Sequence, residues 1–61
     1  MKLYALVNFY KYTIDIFDVY ENETDMFLYT AHDIQTVGPD TYVKHFGVYE
    51  TEEKTVLEIW V

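Results

Sequence analysis

Without a single cysteine, a chain of 61 residues has to fold on apolar burial alone. A body this small removes only about 60% of its unfolded surface from water. The hydrophobic gain therefore barely exceeds the conformational entropy lost on ordering the chain. Domains in this range are usually reinforced by disulfides, a metal or a partner subunit. Disulfides and thiolate metal sites are excluded here, and two histidines cannot by themselves close a structural zinc site. Oligomerisation is the reinforcement left, so the expectation is one domain, residues 1–61, that forms a homodimer.

The residue types favour strands. Val, Ile, Thr, Tyr, Phe and Trp dominate between short polar breaks, and only two Gly and one Pro interrupt them. Residues 2–9 read as a first strand, with Leu3, Ala5, Val7 and Phe9 on one face. Residues 12–20 read as a second; Tyr12, Ile14 and Ile16 set its phase, which slips where Asp18 falls between Phe17 and Val19, as a β-bulge would produce. Residues 21–25 form a polar turn, and 26–30 a third strand. Thr30 and Asp33 resemble a capping pair and Gly38 a helix stop, which places one or two helical turns over 31–37. Residues 42–49 and 55–61 complete the set. In the last of these Leu57, Ile59 and Val61 point inward, and Val56, Glu58 and Trp60 outward. A rival reading makes 39–46 a helix, with Pro39 at its first position and Gly47 ending it. Either way the fold class is mostly β: a small antiparallel meander or SH3-like open barrel of 4–5 strands with one short helical turn.

Catalytic and metal motifs are not found. His32-Asp33 is the only adjacent His–carboxylate pair, and His45 the only other His. A hydrolytic triad needs Ser or Cys, and the chain has neither. The acids of Asp15/Asp18 and of Glu50/Glu52/Glu53 read as solvated strand and turn groups rather than a catalytic pair. Residues 21–25 lack the spacing, the Gly and the closing Glu of a calcium loop. The expectation is a non-enzymatic protein with no cofactor and no metal.

What remains is an excess of rings and acids. Twelve aromatics share the chain with eleven acidic residues, against four basic ones, giving a net charge of −7. One miniature core cannot hide that many rings. Tyrosine offers large contact area at low entropic cost and is enriched at interface hot spots. The acidity opposes DNA, RNA and anionic lipid and favours a partner protein with a basic surface. Tyr12, Asp15, Asp18, Tyr20 and Glu21 are the expected partner-binding site, because this stretch joins three acids to two rings where the alternation breaks. Val56 and Trp60, on one face of the last strand, are the expected dimer contact. Lys2 precedes Leu3-Tyr4-Ala5-Leu6-Val7, a run that Asn8 ends; it is too short for an export signal or a membrane span, so the expected location is the cytoplasm.

In size, acidity, lack of cysteine and all-β reading, the whole chain resembles the short proteins that bacteriophages and mobile elements encode to block host machinery. That resemblance implies an inhibitor of an anti-phage defence or nucleic-acid-processing protein. It carries no functional residue across. The alternative is an assembly protein whose strands join those of neighbouring copies without a separate target.

Overall fold

The computed structural model describes residues 1–31 and 40–61. The protein is mostly β, as expected: four strands form one sheet, and a short helix covers one of its faces. The helix, α1, spans Leu3–Tyr10. The strands are β1 (Ile16–Tyr20), β2 (Phe27–Ala31), β3 (His45–Glu50) and β4 (Thr55–Trp60).

The sheet order is β2-β1-β4-β3. Two antiparallel hairpins, β1–β2 and β3–β4, lie side by side so that β1 and β4 pair in parallel at the centre. The sheet is therefore mixed rather than a meander. Composition explains the arrangement: every buried strand residue among those described lies on β1 (Phe17 and Val19) or β4 (Val56, Leu57 and Ile59). Placing these two strands together in the middle concentrates the apolar area under one helix.

α1 lies where a first strand was expected over residues 2–9. Leu3, Leu6, Val7 and Tyr10 recur at helical spacing, and the first three are almost fully buried. Leu and Ala are good helix formers, and Val7 is the only β-branched residue of α1. The aromatic content alone suggested a strand, and the 3.6-residue period prevailed. Lys2 offers no side-chain cap. The first turn is held instead by residues 41–43: Leu3 N–H donates to Thr41 O at 2.7 Å, Val43 N–H to Met1 O at 2.9 Å, and Lys2 bridges Tyr42. At the other end Thr13 and Ile14 N–H and the Thr13 hydroxyl converge on Tyr10 O.

β1 is shorter than the strand expected over 12–20, because residues 11–15 turn the chain back from α1 to the sheet. Pairing starts at Asp15, whose N–H donates to Thr55 O. The expected slip at Asp18 is regular alternation: Phe17 and Val19 are buried, Phe17 in the core with α1, and Ile16, Asp18 and Tyr20 lie on the other side. The irregularity lies one step on, between Val19 and Tyr20, and the extra residue is Leu28 on β2. β3 starts at His45 rather than at 42, and residues 40–46 are not the helix of the rival reading. Of the helical turn expected over 31–37, Ala31 is instead the last residue of β2, and 32–37 lie outside the described residues.

The core consists of Leu3, Leu6 and Val7 of α1 with Ile14, Phe17, Leu57 and Ile59, and Tyr10, Tyr29, Val43 and Val61 pack against it. No helix among the described residues is long and apolar enough to cross a membrane.

Candidate functional site

The face of the sheet away from α1 carries its side chains in three rows, because facing residues of neighbouring strands share a side. The first row crosses all four strands: Phe27 on β2, Tyr20 on β1, Trp60 on β4 and His45 on β3. Tyr20 meets Phe27 edge-on at 5.7 Å, stacks on Trp60 at 4.9 Å, and Trp60 stacks on His45 at 4.4 Å. Such offset and edge-to-face pairs add roughly 0.5–1.5 kcal/mol each beyond area burial. The row is thereby fixed as a flat aromatic strip.

The second row is Thr30, Asp18, Glu58 and Gly47. Thr30 Oγ1 donates to Asp18 Oδ1 at 2.8 Å, and Tyr20 Oη donates to Glu58 Oε2 at 3.2 Å. The third row is Ile16, Val56 and Tyr49. Beyond the aromatic strip the β1–β2 turn adds Asp25, whose carboxylate accepts the Trp60 indole N–H. Asp25 adopts φ 59°, a left-handed conformation that Asp tolerates better than most residues, and so turns its carboxylate back over the sheet.

The face is electronegative, and the Tyr20 phenol registers that. Partial burial first, then donation to Glu58, then the charges of Glu58, Asp18 and Asp25 raise its pKa above the ordinary value of 10.0. Its carboxylates form no ion pair among the described residues, where the one salt bridge joins Lys2 to Asp40.

Of the residues singled out from sequence, Asp18 and Tyr20 come together at the centre of this face. Tyr12 lies elsewhere, in the turn after α1, 88% exposed with Lys11 Nζ 5.0 Å from its ring centroid. Asp15 accepts the Thr55 N–H at 2.8 Å and ties β1 to β4. Glu21 accepts the Thr24 hydroxyl and shapes the β1–β2 turn. Val56 and Trp60 do share the open face, but Val56 is only 3% exposed within the single chain. Trp60 is the one that offers surface. Sequence reading missed Asp25, Phe27, His45, Gly47 and the pairing of Glu58 with Asp18. Strand alternation did place Glu58 beside Trp60, but only the parallel β1–β4 register brings Asp18 and Tyr20 to them.

No group of three or more potential metal ligands occurs among the described residues. A concavity of about 190 Å³, almost wholly apolar, lies on the helix side between α1 and β3, lined by Met1, Ala5, Leu6, Phe9, Tyr10 and Phe46. Compared with family models, curated proteins and solved structures, the chain matches none of them.

Proposed function

We propose that the protein is a non-enzymatic binding module that lays its open sheet face on a basic surface of a larger protein. In this reading it acts by occupancy, in the cytoplasm, in the manner of the phage-type inhibitors that it resembles. The observation that supports it is an aromatic strip running beside carboxylates that form no ion pair among the described residues. Rings supply contact area that resists salt, and carboxylates steer encounter with positive charge and speed association at low ionic strength. The nucleic-acid grooves of processing or defence enzymes are surfaces of that sign.

The test is affinity capture of the tagged protein's partner, followed by binding kinetics with Asp18→Lys/Glu58→Lys. This pair is preferred to Asp15 or Glu21, whose carboxylates hold backbone and turn. Association slowed at low salt with the fold intact is the expected result. Unchanged kinetics would remove the open face from consideration.

Self-association is the second reading. The apolar concavity between α1 and β3 and the exposed Val48 beside it favour it, as does Trp60 on the other face. Salt separates the two: added salt weakens the grip of an acidic protein on a basic partner, whereas it relieves repulsion between two copies that each carry −7.

A further inference from the structure

The protein-binding reading can be taken down to the side chain that the face would grip. On the open side of β3, His45 and Tyr49 flank Gly47. A Cβ built on Gly47 would meet nothing within 4 Å among the described residues, which leaves space above it. The register sets Glu58 directly beside this gap and Asp18 beside Glu58. The acidic row thus ends in a notch walled by rings, with the His45–Trp60 stack on one side and the half-exposed Tyr49 on the other.

We propose that this notch binds an arginine side chain of a basic partner segment, its guanidinium seated over Gly47 between Tyr49 and the His45–Trp60 stack and donating to Glu58. Like charges on neighbouring strands oppose each other, so a cation beside Glu58 relieves its repulsion with Asp18. Glu58 spends one hydrogen bond on Tyr20, and its remaining lone pairs are free to accept from a guanidinium fork. A planar, weakly hydrated guanidinium also stacks on rings, which a compact, strongly hydrated ammonium does less well. The chain itself contains four lysines and no arginine, so neither its own residues nor a second copy can supply this group.

The test uses three short Gly/Ser peptides, identical except that they carry arginine, lysine or citrulline. Binding is read from the emission of Trp60, the only tryptophan, and from amide NMR shifts at Gly47 and Glu58. The arginine peptide should bind about tenfold tighter than the lysine peptide, and the uncharged citrulline peptide should not bind. Gly47→Val fills the notch at a residue whose φ is not positive, so it should keep the fold while erasing the preference for arginine. Glu58→Gln, which keeps an acceptor for Tyr20, should do the same.

Equal binding of the arginine and lysine peptides, or a preference untouched by Gly47→Val and Glu58→Gln, overturns the arginine notch. Either result leaves the wider reading in place, since general attraction to basic segments would remain. Failure of all three peptides to bind, with the captured partner still sensitive to Asp18→Lys/Glu58→Lys, also overturns the notch alone. Insensitivity of that partner to the charge reversal overturns the wider reading.

Discussion

The phenol of Tyr20 lies between a carboxylate and an indole, and its raised pKa has a consequence for stability. The folded protein holds this proton more tightly than the unfolded chain does. The associated stability is complete below the unfolded value near pH 10 and is lost as pH rises through the higher folded value. Tyr29, raised by burial, acts in the same direction. Urea unfolding should therefore show a decline above about pH 10 that Tyr20→Phe makes shallower. At neutral pH that substitution should cost about 0.5–1.5 kcal/mol through the lost hydrogen bond to Glu58. Asp25 gives a second prediction, because it combines a left-handed backbone with acceptance of the Trp60 indole N–H. Asp25→Gly removes the acceptor but suits the backbone. Asp25→Ala removes the acceptor and adds roughly 1 kcal/mol of backbone strain. Thermal unfolding should rank wild type above Gly and Gly above Ala, and the opposite order of the two variants would contradict the assigned turn.

The two faces of the sheet and the helix should respond very differently to truncation. Leu57 is fully buried at the centre of the core, and Leu57→Ala should cost about 2–5 kcal/mol, enough to unfold much of a domain this small. Phe9, 79% exposed on the same helix as Leu6, should lose less than about 0.5 kcal/mol on change to Ser. Denaturant midpoints of both variants check this. The contrast also shows what was readable in advance. In β4 the inward Leu57 and Ile59 and the outward Glu58 and Trp60 follow from alternation alone, since both strand faces carry distinct residue types. In α1 the spacing of Leu3, Leu6, Val7 and Tyr10 signalled a helix, but Tyr4 and Phe9, which lie exposed on its outer side, disguised it as a strand. Two of the five residues of the expected site, Asp18 and Tyr20, belong to the open face. Tyr12 was separated from it by a turn that strand propensity could not reveal. Glu58, His45 and Gly47 join the site through strand neighbourhood, which depends on how hairpins dock and not on any local pattern.

Taken whole, the molecule holds a net charge of −7 on one small sheet and helix. Self-repulsion of that size opposes the compact state and is screened by salt. The urea midpoint should rise between low and physiological ionic strength with the slope m unchanged, which marks a change in stability rather than in the surface exposed. A salt-independent midpoint would show that the carboxylates are locally compensated. That outcome would weaken the case for an electronegative face.

The parallel docking of β1 against β4 also governs when the protein can come into being. Ile16 pairs with Val56, and Asp15 with Thr55 across 40 residues. Each hairpin is local, but the sheet's central seam joins segments far apart along the chain. During synthesis α1 and the first hairpin must therefore wait, their apolar sides uncovered, until β4 is made. Such long-range closure slows folding relative to helical proteins of equal length. Because Trp60 sits on that late strand, its fluorescence should report closure of the seam itself, as one slow phase that follows formation of the helix seen by far-ultraviolet circular dichroism.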